Sequence, residues 1–179
     1  MGGKQLLLLV SQTQPDLRTL AAQFGVPGQA WETRPYRPLL DQITPGSIWR
    51  FRLVADPTKS CQEPTQPQKG FVRTCGSVPQ QARWLLDRAQ KHGFQLTENS
   101  FAVTGNKWYL FRKGTTHDSV SLLAVTYEGL LQVTDAEAFR TTLCQGIGHG
   151  KAYGMGLLTV IRAQEQGLCA SGHSADTTR

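Results

Sequence analysis

The stretch Gly146-Ile-Gly-His-Gly-Lys-Ala-Tyr-Gly-Met-Gly-Leu-Leu158 places five glycines within eleven residues. Glycine allows positive φ and close backbone approach, so this loop could turn N–H groups toward an anion, with Lys151 adding charge and Tyr153 a ring. Its spacing fits neither a dinucleotide-binding fingerprint nor a Walker loop, and it follows a predicted helix rather than a strand. Taken alone, the pattern favours a tight helix-to-strand crossover that needs positive φ.

The segments around this loop alternate between helical and strand patterns. A helix is predicted from Ser77 to Gly93, and strands at 107–113 and 120–127 flank a polar turn. A second capping box, Thr134-Asp-Ala-Glu137, opens a helix before the glycines, and a final strand follows them. With one more strand upstream, this order is the β-α-β-β-α-β pattern of ferredoxin-like domains.

The segment 47–55 can supply that strand. Its apolar side chains alternate with Arg50 and Arg52, which therefore share the opposite face. The two arginines could form a phosphate-binding stripe, although a solvated sheet face is the commoner explanation of such a pattern.

The remaining first half gives weaker signals. The apolar run Leu6–Val10 predicts a buried strand, and prolines predict an irregular covering loop at 31–46. Residues 56–76 predict a long, poorly ordered polar loop and a domain boundary, with Lys59 and Arg73 available to a partner. The predicted domains are therefore 1–75, 76–163 and a disordered tail at 164–179.

Composition limits the class of protein. The 179 residues can bury one core or two small ones, and the net charge of +6 suits either a polyanionic partner or ordinary solubility. The four cysteines form no C-x-x-C pair and no zinc-ligand spacing with histidine, so we expect no metal and no cofactor. The apolar run near the N-terminus is too short to span a membrane, so we expect a cytoplasmic protein.

Four ordered segments together resemble one family. They are the glycine loop, Phe51-Arg-Leu-Val-Ala-Asp-Pro57 with Lys59, Ala82-Arg-Trp-Leu85, and Thr126-Tyr-Glu-Gly129. From about Leu6 to Val160 the sequence resembles the Cas6e (CasE/Cse3) family of RAMP-type CRISPR proteins.

This resemblance implies an α+β fold of tandem ferredoxin-like (RRM-like) domains, the first one incomplete. It implies binding of the CRISPR repeat RNA stem-loop, metal-independent cleavage at the 3′ base of the stem, and assembly with other Cascade subunits. The strand and helix that carry the family's catalytic His and Tyr are not matched, so we expect an N-terminally truncated chain and assign no catalytic residue. The role of His149 is open. The alternatives are a non-catalytic RNA-binding RAMP subunit and an unrelated ferredoxin-like module for a small ligand or protein.

The resemblance and the charge pattern select candidate RNA-binding residues. Lys151 and the loop glycines come from the matched motif, Arg112 and Lys113 from a basic hairpin, and the others from charge alone. We expect Trp108, Tyr109 and Phe111 to pack in the core and hairpin rather than to stack on bases. The full set is Gly146, Gly148, Gly150, Lys151, Gly154, Gly156, Arg112, Lys113, Arg50, Arg52, Lys59 and Arg73.

Overall fold

The computed structural model describes residues 7–25, 31–63, 66–112 and 119–163. Short 3-10 turns occupy Gln90–His92 and Gly150–Tyr153. In chain order the elements are α1 (Arg18–Phe24), α2 (Arg37–Asp41), β1 (Ile48–Ala55), β2 (Thr58–Glu63), β3 (Gln66–Thr74), α3 (Val78–Ala89), β4 (Phe94–Gln95), β5 (Phe101–Arg112), β6 (Ser119–Val133), α4 (Ala136–Gln145) and β7 (Leu158–Arg162).

Strand β1 lies inside the main sheet. It pairs antiparallel with β6 on one side and with β7 on the other, so that Phe51 lies opposite both Gly129 and Val160. Its burial alternates as the sequence predicts, with Arg50 and Arg52 on the exposed face. Residues 49–53 therefore have a ladder partner on each side.

The sheet order is β4-β6-β1-β7, with β5 also beside β6. With α3 and α4 as the connecting helices, this is the antiparallel β-α-β-β-α-β arrangement of a ferredoxin-like domain. The predicted α+β, ferredoxin-like class is confirmed, and β1 supplies its first strand. In segments 7–25 and 31–47 the structure shows two short helices and no strand, so a complete unit is seen only in residues 48–162.

The core lies between the sheet and the two long helices. Trp84 of α3 stacks on Tyr127 of β6, with ring centroids 6.1 Å apart, and its indole N–H donates to the carbonyl of Thr58. Phe139 of α4 meets Phe94 edge to face at 5.7 Å. Truncating buried rings of this size to alanine typically costs about 3–5 kcal/mol, so these contacts fix the helices on the sheet.

The prediction of a buried strand at Leu6–Val10 is wrong for the residues that the structure describes. Leu7, Leu8 and Leu9 form no strand and are exposed, Leu7 at 79%. An apolar run becomes a buried strand only where a neighbouring ladder and a covering layer exist. The described part of the chain brings neither to this segment.

Two predictions of irregular structure are also wrong. Segment 56–76 contains β2 and β3, which pair with each other as a separate two-stranded sheet. The prolines of this segment argued against strands, because proline cannot donate a ladder hydrogen bond. In a two-stranded ribbon, however, both strands are edge strands, where proline is tolerated. Within 31–46, helix α2 begins with Pro38 in its first turn, where the missing N–H has no intrahelical partner to lose. The domain division at residue 75 stays a prediction.

The N-terminal cap of α4 is Asp135 in the structure, whereas the sequence pattern predicts Thr134, and mutation can distinguish the two. Asp135, not Thr134 of the predicted capping box, accepts from the backbone N–H groups of Glu137 and Ala138, both at 3.0 Å. We expect Asp135→Ala to lower the free energy of unfolding by about 1 kcal/mol, measured by urea denaturation. The control Thr134→Ala should change it by less than about 0.5 kcal/mol. The reverse order of effects contradicts this assignment.

Candidate functional site

The glycine loop, residues 146–156, connects α4 to β7. Gly146, Gly148, Gly154 and Gly156 have φ values of +74°, +92°, +77° and +89°, which L side chains rarely adopt. The predicted crossover with positive φ is therefore confirmed.

The two ends of the loop are joined by backbone contacts. The N–H of Ile147 donates to the carbonyl of Gly156 at 2.8 Å, and the N–H of Gly156 donates to the carbonyl of Val54 at 2.6 Å. A methyl group on Gly156 would lie 2.6 Å from the carbonyl oxygen of Ile147, and one on Gly146 equally close to that of Gly156. The outer glycines thus allow a close backbone approach that fastens the loop to the end of β1.

Two inner glycines, Gly148 and Gly150, face the protein. A methyl group on Gly148 would touch the ring of Trp84 at 3.4 Å, and Gly150 is buried against Met155 and Asp56. Their visible role is packing of the loop onto α3 and β1. Direct contact of the loop glycines with RNA stays a prediction.

Lys151 is exposed on this loop. Its side-chain stem lies across the closed ends, with Cγ 3.0 Å and Cδ 3.6 Å from where methyl groups on Gly156 and Gly146 would be. Tyr153, also exposed, meets the ring of Phe111 on β5 with centroids 5.3 Å apart. The geometry therefore joins the loop to the outer part of the β5–β6 ribbon.

The outer ribbon is formed by residues 107–112 and 119–124, which pair without interruption. Arg112 is exposed at its end, whereas the predicted Lys113 lies outside the described residues. The expectation that Trp108, Tyr109 and Phe111 are packed is wrong: all three are exposed. Periodicity identified the strand correctly, but it could not reveal that no helix or second sheet of the described structure covers residues 108–112.

Arg50 and Arg52 lie elsewhere, on the face of the sheet opposite the helices. They line an open groove of about 590 Å³ together with Leu130, Thr159 and Ile161. The guanidinium of Arg52 forms an ion pair at 3.3 Å with Glu128, which partly neutralises this surface.

Lys59 and Arg73 lie on a third surface, the β2–β3 ribbon. They lie opposite each other in the β2–β3 ladder. The ammonium of Lys59 is 3.8 Å from Asp87 of α3. The predicted basic residues that the structure describes are therefore divided among three surfaces, and Lys151 and Arg112 share one of them on neighbouring elements.

Asp56 is a candidate that sequence reasoning missed. It is 6% exposed, and its Oδ1 has no hydrogen-bond partner among the described residues. Burial raises the pKa of this carboxyl, opposed by the N–H of Leu123 and by the charge of His149. Asp56 follows β1, lies against Gly150 of the loop and accepts from the N–H of Leu123 on β6. Its side chain therefore connects these three segments. An acidic residue directly after an apolar strand, before Pro57, was the available signal.

The histidines in the described part of the chain have different surroundings. His92 is partly buried, and its Nδ1 is 2.9 Å from the hydroxyl of Thr142. Burial lowers the pKa of His92, and the neighbouring cations Lys91, Arg88 and Lys151 lower it further. His149, in contrast, is exposed on the glycine loop.

The described residues contain no group of three or more His, Cys, Asp or Glu side chains placed to hold a metal ion. No helix among them is long and apolar enough to cross a membrane.

Residues 1–162 match a family model described as CRISPR associated protein. Over 163 residues the sequence is 31% identical to the CRISPR-associated endoribonuclease Cse3 of Thermus thermophilus, covering 87% of this chain and 72% of that relative. The fold resembles Thermus thermophilus Cse3 bound to an RNA representing a pre-cleavage complex, with 29% identity, a TM-score of 0.62 and coverage of 74% and 61% of the two chains.

A chain of a CRISPR RNA-guided surveillance complex, solved in a pre-nicking state, is also similar. It is 27% identical with a TM-score of 0.57, covering 76% of this chain and 64% of that one. The chain thus spans less than two thirds of the length of both solved structures.

The glycine loop gives a matched pair of substitutions. Gly156 and Gly154 have similar positive φ, but a methyl group on Gly156 meets backbone whereas one on Gly154 meets nothing within 4 Å. We expect Gly156→Ala to lower the free energy of unfolding by about 1–3 kcal/mol and Gly154→Ala by roughly half as much, measured by thermal unfolding. Equal losses would contradict the close approach.

The buried carboxyl of Asp56 should give the stability of the fold an unusual dependence on pH. Because its pKa is raised in the folded state, the folded chain binds more protons than the unfolded chain above the ordinary value of 3.8. This carboxyl therefore makes stability fall as pH rises from about 4 through the raised pKa. Asp56→Asn should keep the bond from Leu123, reduce that fall and not lower stability at pH 7, as measured by urea denaturation across pH.

The control Asp41→Asn also removes one carboxylate, but from an exposed ion pair with Arg37. It should leave the fall in stability above pH 4 in place. Loss of stability in Asp56→Asn at pH 7, with an unchanged pH slope, would show that the carboxylate is needed in its charged form.

Proposed function

Since the chain belongs to the family of CRISPR-associated proteins, within its Cas6e (Cse3) group, we propose that it binds the stem-loop RNA of CRISPR repeats. In this proposal it acts in the cytoplasm as a subunit of a Cascade surveillance complex and takes part in processing the precursor RNA. The relatives that support this proposal are an endoribonuclease, an RNA-bound structure and a surveillance complex.

The observation that carries the proposal is the junction between the glycine loop and the outer ribbon. Phe111 and Tyr153 bring Lys151 beside a ribbon whose described segments, 101–112 and 119–127, contain Lys107 and Arg112 but no acidic residue. Double-stranded RNA is recognised mainly through its backbone and shape, so a projecting basic ribbon beside an exposed lysine suits a stem.

The other two basic surfaces are secondary in this proposal. Arg52 is paired with Glu128 and Lys59 with Asp87, so contact with phosphate must compete with an existing ion pair. Arg50 and Arg73 add charge at the same two surfaces. They are weaker candidates for phosphate contacts than Lys151 and Arg112.

The proposed cleavage follows the metal-independent chemistry of the family. The 2′-hydroxyl attacks the adjacent phosphate, which requires a base, charge stabilisation at phosphorus and an acid for the leaving oxygen. We assign no catalytic residue in this chain. Because the Nδ1 of His92 is already engaged by the hydroxyl of Thr142, this histidine favours a second candidate, a non-catalytic RNA-binding subunit.

A single assay separates these functions. Labelled repeat RNA is incubated with the chain in EDTA, with binding measured at several salt concentrations and products separated on a denaturing gel. Cleavage at the 3′ base of the stem supports the nuclease, and salt-sensitive, stem-specific binding without cleavage supports the non-catalytic subunit. Absence of salt-sensitive binding to the stem would contradict both.

Lys151 is the residue to test first. We expect Lys151→Ala to weaken binding of the stem-loop and to lower the salt slope of the affinity by about one unit, because one phosphate contact is lost. Arg37→Ala, which removes a cation from α2 outside the proposed surface, should leave the slope unchanged. An unchanged slope in Lys151→Ala, with normal thermal unfolding, removes Lys151 from the interface.

A further inference from the structure

Three exposed aromatic rings lie near the place where the outer ribbon touches the glycine loop. Tyr109 and Phe111 of β5 are 42% and 37% exposed, and Tyr153 of the loop is 44% exposed. The rings of Phe111 and Tyr153 are in contact, tilted by 58° to each other. Rings of this size are normally covered, and none of the three belongs to the core cluster.

Two lysines flank these rings. Strand alternation places Lys107, Tyr109 and Phe111 on the same face of β5, and the ammonium of Lys107 lies 4.9 Å from the centre of the Tyr109 ring. Lys151 is exposed two residues before Tyr153. We call Lys107, Tyr109, Phe111, Tyr153 and Lys151 the aromatic stripe.

We propose that the aromatic stripe binds unpaired nucleotides of the RNA, with bases stacked on its rings and its two lysines on phosphates where the stem meets the unpaired segment. This inference rests on the proposed function and deepens it by assigning a single-stranded segment to a surface beside the stem. Three rings provide room for about two or three bases, as on other aromatic RNA-binding surfaces.

The chemistry favours unpaired bases over the stem. Stacking requires a free base face, and inside a duplex each face is already covered by the next base pair. Rings flanked by cations, on ribbon segments 101–112 and 119–127 that contain no acidic residue, match a base and its phosphate. A continuous duplex would be bound through its phosphates, which requires the cations but not the exposed rings.

The uncovered sheet face does not offer the same chemistry. Its groove is lined by Arg50, Arg52, the acidic Glu128 and mainly aliphatic side chains, and its one aromatic lining residue, Phe51, is buried in the core. Among the described surfaces, exposed rings and unopposed lysines occur together on the aromatic stripe.

The test compares two RNAs in fluorescence anisotropy titrations with the full chain. One is a repeat stem-loop with unpaired flanking nucleotides, and the other is the same stem without flanks, closed by a tight loop. Tyr109→Leu, Phe111→Leu and Tyr153→Leu each remove a ring but keep an apolar side chain and the charge. We expect each to weaken binding of the flanked RNA by roughly 5- to 150-fold, with an unchanged salt slope and little change for the bare stem.

Two controls separate stacking from folding. Tyr109→Phe keeps the ring and should restore wild-type affinity for the flanked RNA. Leu110→Ala alters the opposite face of the same strand, where Leu110 is exposed, and should change the affinity for neither RNA. Thermal unfolding of each variant excludes a loss of structure.

The outcomes distinguish this inference from the proposed function. If the wild-type chain binds the bare stem and is weakened by Lys151→Ala, but the leucine variants bind both RNAs normally, the stripe does not stack bases and only this inference fails. Loss of affinity for both RNAs to the same extent also contradicts it. If the leucine variants instead lose a Cascade protein subunit in a pull-down and keep RNA binding, the stripe is a protein contact. If the wild-type chain binds no RNA, the proposed function fails as well.

Discussion

The position of β1 inside the sheet is the constraint on which the rest of the structure depends. Its backbone is paired with β6 on one side and β7 on the other, and its apolar side chains form the floor of the core. The same strand fixes the glycine loop, because the carbonyl of Val54 accepts from Gly156 and Asp56 follows at the strand's end beneath Gly150. A shift of β1 by one residue would expose Phe51 and also detach the loop.

The glycine loop combines two roles that usually compete. Its outer glycines let two backbone segments approach closely, which holds the loop in one conformation, while Lys151 and Tyr153 remain exposed. A surface held in place before its ligand arrives loses little conformational entropy on binding. Rigidity of the backbone and exposure of the side chains therefore come from the same short segment.

The sequence predicted those features that depend on local periodicity or on a residue's own conformational freedom. The alternation in β1, the helix around Trp84 and the positive φ values of the loop follow from such patterns. The features that the sequence did not predict depend on which elements pack against each other in the folded chain. The apolar run at Leu7–Leu9 has no covering layer in the described structure, and β2 and β3 support each other despite prolines. The rings of the outer ribbon are exposed because no helix or second sheet of the described structure covers them.

The length of β6 has a mechanical consequence. At about 3.3 Å per residue, its 15 residues span roughly 50 Å, from the core beside β1 to the outer ribbon. One continuous backbone thus links buried Tyr127 and Leu131 with the exposed end of the ribbon. A displacement of the ribbon is therefore transmitted along this backbone to the hydrogen-bond ladder between β1 and β6. Hydrogen exchange of amides in that ladder is where engagement of the distant ribbon would register.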